Sequence, residues 1–391
     1  MRIHLSVPAR INILGNPADA NEGDFATISA AIDVYAGALI EPAEGLILEY
    51  APHHNISQHA ARLSCTCPAP EENSPPLRLC FPRPEPPLPY DGQLDLVKAA
   101  VNRLHAFSPE LRQKLPQQGA RLALWSDVPR QSGLGGSSLL VILTLTALRA
   151  FYDLDHRLHN DYILAELTQR VESKELGIAC GFADRYVPIF GGLAYLDYRG
   201  KLHQKEIRQE PLVTYERLDA WAPELPLAAI ATGVLHNSGD VHGRMRPRYI
   251  EEYDAWMQRG GEPPPLVRLM QGAWETAWRG KIALLEGDLE TFGQLMNRNH
   301  ALVDEMMTRC GFEDGAGWAN NLCIRAALEN GALGAKLTGA GGGGSVFALT
   351  RPGEQSRLVS AWQQLAEAHG LSSARIFTPR ISQRGLIVEA L

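Results

Sequence analysis

Val128-Pro129-Arg130-Gln131-Ser132-Gly133-Leu134-Gly135-Gly136-Ser137-Ser138 runs without a break into the apolar stretch from Leu139 to Phe151, long enough for a buried helix. Glycines and hydroxyls directly before such a helix leave its first backbone N–H groups free, so the stretch reads as an anion site. Bare glycines let the backbone approach phosphate oxygens closely, and a serine hydroxyl at that point can reach a phosphate-bound metal ion. A plain structural turn is the alternative for the glycines taken alone.

Around this centre the chain reads as α+β. Ile3 to Pro8 and Ile11 to Leu14 are short extended segments, and Ala36 to Tyr50 reads as strands turning at Glu44-Gly45. Asp95 to Phe107 places Val97, Ala100, Val101 and Leu104 on one helical face, and Ala120 to Trp125 alternates as a half-buried strand. A further helix starts at an Asn160 or Asp161 cap and ends near Gly177. The charged run from Lys201 to Glu210 reads as a crossing between two domains, 1–208 and 209–391. The second half offers a strand near Leu227 to Thr232, a polar basic loop and helices around Glu275 to Met307. Beyond them come a helix from Trp318 that stops at Asn330-Gly331, a last helix from Glu354 to Ala368 and two closing strands.

With 391 residues, 45% of them apolar, the chain can bury sizeable cores. A net charge of −7 argues against nucleic acid or anionic membrane as a partner and points to small molecules. No stretch resembles a signal core or a membrane span, so the expected location is cytoplasmic. Six scattered cysteines make no disulfide framework. His53, His54, His59, Cys65, Cys67 and Cys80 fall close together, but Cys-x-Cys is not the spacing of a zinc knuckle.

Two more elements carry chemistry. Lys336-Leu337-Thr338-Gly339-Ala340-Gly341-Gly342-Gly343-Gly344-Ser345 holds four consecutive glycines, an entropic cost that a structural turn rarely requires. Pro8-Ala9-Arg10-Ile11-Asn12-Ile13-Leu14-Gly15-Asn16-Pro17-Ala18-Asp19 is a buried-looking strand that carries an arginine into a polar turn. Neither glycine cluster follows the Walker pattern or a dinucleotide fingerprint.

In this order the three elements resemble the signature motifs of the GHMP kinases, the family of galactokinase, homoserine kinase, mevalonate kinase and phosphomevalonate kinase. The resemblance implies an N-terminal domain like ribosomal protein S5 domain 2, with a left-handed βαβ crossover, followed by a ferredoxin-like domain. It also implies ATP and magnesium. Pro129, Gly133, Leu134, Gly135, Gly136, Ser137 and Ser138 would wrap the phosphates, and Gly339, Gly341 and Gly342 would close over them. Ser137 and Glu172 would hold the metal. Asp184 would orient and deprotonate the acceptor hydroxyl, and Arg10 would keep that carboxyl ionised.

Galactokinase-like members carry glutamate and histidine where this chain has Asn16-Pro17, which disfavours galactose, while Asp19 matches a sugar-binding position. Gly15 to Asp19, Glu175 to Arg185 and Asn237 to Tyr249 resemble the glucuronokinase branch. That likeness implies a sugar acid, most simply glucuronate phosphorylated at its anomeric hydroxyl. Asn16, Asp19, Arg185 and Arg244 become the expected substrate contacts, the arginines as forks for a carboxylate. A heptose 7-phosphate acceptor and a non-catalytic sensor of sugar and nucleotide remain open alternatives. So does the oligomeric state, monomer or homodimer.

Overall fold

Every residue of the first strand, β1 (Ile3–Leu14), is buried, so apolar side chains on one face alternate with Ser6, Arg10 and Asn12 on the other without any of them reaching solvent. The computed structural model describes residues 1–20, 25–51, 76–198, 212–222, 224–235 and 238–391. Of the histidine and cysteine cluster, only Cys80 lies among them, exposed on a strand; the expected crossing at 201–210 lies outside them.

The first half continues with β2 (Ala26–Pro42), β3 (Leu46–Tyr50), β4 (Leu77–Phe81), α1 (Asp95–Phe107), α2 (Pro109–Lys114), β5 (Ala120–Ser126) and α3 (Gly136–Phe151). Then come α4 (Asp161–Arg170), α5 (Ala183–Phe190), β6 (Leu193–Asp197) and β7 (Thr214–Arg217). The segments expected on either side of Pro8 are one strand. A register shift between Pro8 and Ala9 takes up the proline, which has no N–H for the ladder. With the last strand of the chain, β12 (Ile387–Ala390), at one edge, sheet order is β12-β1-β2-β5-β3-β4, with β6 on β2 and β7 on β6, and β3 with β5 is the parallel pair. β7 lies past residue 208 and β12 returns to pair with β1, so both belong to the first sheet.

The second half holds β8 (Leu227–Ala231), α6 (Ser238–Arg259), α7 (Pro265–Glu286), α8 (Leu289–Arg309), α9 (Trp318–Glu329), β9 (Gly334–Thr338), β10 (Ser345–Leu349), α10 (Gln355–Ala368) and β11 (Arg375–Phe377). Its antiparallel sheet runs β11-β8-β10-β9. Val346 and Ala348 pack with Cys323, Leu358 and Trp362 of α9 and α10, while Phe347 and Leu349 join the core of the first half. One apolar core therefore crosses from one half to the other.

The expected basic loop is instead the helix α6. Val241, Met245 and Tyr249 recur every four residues and pack on Ala18, Phe25 and Met270, an apolar stripe strong enough to outweigh Gly243 and Pro247. Other boundaries follow their signals. Asn160 caps α4 by accepting the Ile163 N–H at 3.1 Å, and Gly331 after α9 has a φ of +89°.

Candidate active site

α3 begins at Gly135, whose φ of +88° only glycine adopts readily, and no side chain caps its first turn. The amides of Gly136, Ser137 and Ser138 thus form a donor cluster at a helix N-terminus. β1 is stitched to this loop: the Arg10 backbone N–H donates to the Leu134 carbonyl and its Nη1 donates to the Gly133 carbonyl. The half-buried Pro129 opens the turn by accepting the Ser132 N–H.

The second glycine loop meets the first backbone to backbone. A Cβ on Gly133 would sit 2.5 Å from the Thr338 carbonyl oxygen, and one on Gly339 would sit 2.8 Å from the Gly133 Cα. The remaining glycines are spent inside the second half. Gly341 lies against Met307 and Leu337, and the Gly342 N–H donates to the Ala316 carbonyl. Of the glycines expected to close over phosphate, only Gly339 is thereby brought against the first glycine loop.

Asp184 lies in the first turn of α5, its side chain about a quarter exposed. Arg10 Nε donates to its Oδ1 at 2.5 Å, and Arg185 Nη1 stands 3.5 Å from its Oδ2. Burial alone would raise this carboxyl. The Arg10 and Arg185 charges and the Arg10 and Asn12 hydrogen bonds outweigh it and hold the group well below the ordinary carboxylate range.

Glu172 occupies a single π-helical turn, Val171–Glu175, that continues α4, and it is buried. Its Oε1 accepts from Ser138 Oγ at 2.7 Å. Glu172 therefore meets Ser138; the side chain of Ser137, the expected metal ligand, is exposed. The other oxygen, Oε2, accepts from Arg185 Nη2 at 2.5 Å.

That contact corrects the expectation for Arg185. The guanidinium is fully buried, it also donates to the Gly181 carbonyl at 2.8 Å, and it bridges Glu172 and Asp184. Nη1 and Nη2 are spent on internal acceptors, while its Nε, buried as well, has no hydrogen-bond partner among the described residues. Arg244 is exposed on α6, paired with Asp240 and lying over the Phe312 ring, and these partners are not among the residues around Asp184.

Asp19 is likewise engaged internally. Its Oδ2 accepts the Phe182 and Ala183 N–H groups at 2.9 and 3.1 Å, which caps α5. Burial and the nearby Asp184 charge push its pKa up. Asn16 is buried, with its Oδ1 accepting from Lys336 Nζ at 2.6 Å and its backbone carbonyl from Asn299 Nδ2 at 3.1 Å. Neither Lys336 nor Asn299 was expected. The signal was a lone lysine in an apolar strand and an asparagine on the inward face of α8, between Met296 and Val303.

A family model described as the GHMP kinases N terminal domain matches residues 95–192, and one described as GHMP kinases C terminal matches residues 281–368. Glucuronokinase 1 of Arabidopsis thaliana is 28% identical over 348 residues, covering 88% of this chain and 85% of its own. A mevalonate kinase of Pyrococcus abyssi is 30% identical over 290 residues, covering 73% of each chain. The crystal structure of Lactococcus lactis galactokinase complexed with galactose superposes with a TM-score of 0.72 at 19% identity, covering all of this chain and 95% of its own.

Proposed function

Because the chain belongs to the GHMP kinase family, phosphotransferases that act on hydroxyl groups, we propose that it transfers the γ-phosphoryl group of ATP to the anomeric hydroxyl of glucuronate. The observation that carries the reading is that one guanidinium, that of Arg10, touches both the glycine loop and Asp184. Phosphate seated on the first turn of α3 would then lie one side chain away from the carboxylate.

Phosphoryl transfer asks mainly for alignment and charge neutralisation. A carboxyl held as far down as that of Asp184 is a weak base, so its first task is to orient the acceptor hydroxyl. As the acceptor oxygen bonds phosphorus and the bond to the β-phosphate breaks, the hydroxyl proton passes to Asp184 late and then to water.

Ser138 Oγ and Glu172 Oε1 form a hard oxygen pair beside the phosphate loop, which fits a magnesium ion that keeps most of its ligands as water and phosphate. Magnesium bound there would offset phosphate charge. The uronate acceptor is supported by the likeness to the plant glucuronokinase over most of both chains. A carboxylate fork from Arg185 is not part of the reading.

Coupled ADP release with magnesium tests it across glucuronate, galacturonate, galactose, heptose 7-phosphate and mevalonate, with Asp184→Asn as the blank. The expected result is selective turnover of glucuronate, with loss of its reducing end. Turnover of heptose 7-phosphate alone would replace the acceptor, and binding of ATP and sugar without turnover would make the protein a sensor.

A further inference from the structure

Lys336 is fully buried in β9, and no carboxylate pairs with it among the described residues. Burial pulls its pKa well below the usual lysine range. Yet its Nζ is surrounded by three acceptors: the Asn12 carbonyl at 3.2 Å, the Leu337 carbonyl at 2.9 Å and Asn16 Oδ1 at 2.6 Å. Only an ammonium, with three N–H donors and no lone pair, satisfies all three. A buried amine is costly where an aliphatic side chain would pack as well against Phe347, so the contacts themselves require an explanation.

One of the acceptors, Asn16, lies in the turn after β1, and Asn12 lies near the end of β1 itself. Asn12 is gripped on both sides by β9, its carbonyl by Lys336 and its N–H by Thr338 Oγ1 at 3.0 Å. From α8, Asn299 Oδ1 accepts the Gly15 N–H and Asn299 Nδ2 donates to the Asn16 carbonyl, both at 3.1 Å. Directly past that turn stands Asp19, the cap of the helix that carries Asp184. The first glycine loop is held to β1 through Arg10, and it also meets the end of β9 at Thr338 and Gly339.

We propose that Lys336 is a positioning residue: from the second half of the chain it fixes the turn Gly15–Asp19, and through Asp19 the start of the Asp184 helix, so that it governs acceptor placement more than ATP binding. The acceptor part rests on the kinase reading above; the positioning part does not.

Lys336→Met in the full chain tests both parts. Hydrogen exchange followed by mass spectrometry reads the positioning without any turnover. Exchange is expected to speed up at least tenfold in peptides covering 14–20 and 181–186, with 133–140 unchanged. Uniform acceleration, or none, overturns the proposal. In the kinetic arm the acceptor KM rises about tenfold or more while the ATP KM stays within twofold; equal changes in both KM values overturn it.

A wild-type protein that phosphorylates no sugar refutes the kinase reading and leaves the exchange result to decide on Lys336. Should Lys336→Met fail to fold, the clasp is read from its other end. Asn16→Asp keeps an acceptor for Lys336 and should retain slow exchange at 181–186, whereas Asn16→Leu should lose it. Identical exchange in the two variants overturns the proposal.

Discussion

Replacing Gly133 with alanine puts a methyl carbon 2.5 Å from the Thr338 carbonyl oxygen and asks a residue with a side chain to hold a φ of +71°. The left-handed backbone costs about 1–2 kcal/mol. The contact is about 0.9 Å short of the 3.4 Å where ordinary van der Waals contact begins, and its partner is backbone, which no rotamer change can move. One glycine loop must therefore shift from the other by nearly that distance. A displacement on the order of 1 Å in a positioning element costs about 10²-fold in rate. Gly133→Ala is expected to lower kcat/KM for ATP about 100-fold, with a Tm loss of only roughly 1–3 °C from the backbone term. Gly243→Ala is the control: no atom lies within 4 Å of its Cβ position, and it should stay within twofold of wild type. Coupled ADP release at saturating acceptor, with a thermal melt on the same samples, measures both. A Gly133→Ala enzyme within threefold of wild type would show that contact between the two glycine loops does not set phosphate position.

Arg185→Gln strands Glu172, whose carboxylate then keeps Ser138 as its partner, and breaking a buried pair of this kind costs about 3–5 kcal/mol. The expected result is a Tm lower by roughly 4–6 °C and a turnover loss equal on acidic and neutral sugars; a KM rise confined to acidic sugars at unchanged Tm would restore the substrate fork. Asp19→Ala removes two bonds to the start of α5 and should cost about 1 kcal/mol, whereas Asp19→Asn keeps an acceptor and sheds a charge beside Asp184. Because the native pKa of Asp19 is raised, its wild-type penalty is present at neutral pH and absent below about pH 4, so the Asn variant gains in Tm at pH 7 and not at acid pH. A gain that persists in acid removes the charge from the explanation. The Asp184 carboxyl, held low, keeps its acid limb in kcat/KM well below pH 4, and Arg10→Gln should move that limb upward; a limb that does not move removes Arg10 from the pair.

Local chemistry was legible in the sequence wherever it repeats at the period of its element. The glycine loop and α3, the Asn160 cap and the stop at Gly331 all lie where the spacing put them. α6 was hidden by Gly239, Gly243, Pro247 and its arginines, although Val241, Met245 and Tyr249 already marked an inward face. Arg10 beside Asp184 came from the resemblance, because 174 residues separate the pair and no local pattern joins them. Arg185 shows the limit most clearly. The sequence places a cation next to Asp184, but whether it faces a ligand or an internal carboxylate depends on the π-helical turn that directs Glu172 toward it, and no residue preference announces that turn.

The charge arithmetic of the cluster explains why Arg185 must be internal. Asp184, Glu172 and Asp19 are three buried or half-buried carboxyls, and Arg10 and Arg185 are the guanidiniums among them. Removing either cation for a ligand would leave a carboxylate unpaired in the interior, where it costs more than a new surface-like contact returns. Asp19 is pushed up first by its burial and then by the Asp184 charge, while its neighbour Asp184 is held down by the two guanidiniums. On the proposed reading, the negative charge of an incoming triphosphate would fall on the uncapped amides at the start of α3, backbone groups whose position depends on the glycine contact between Gly133 and Gly339.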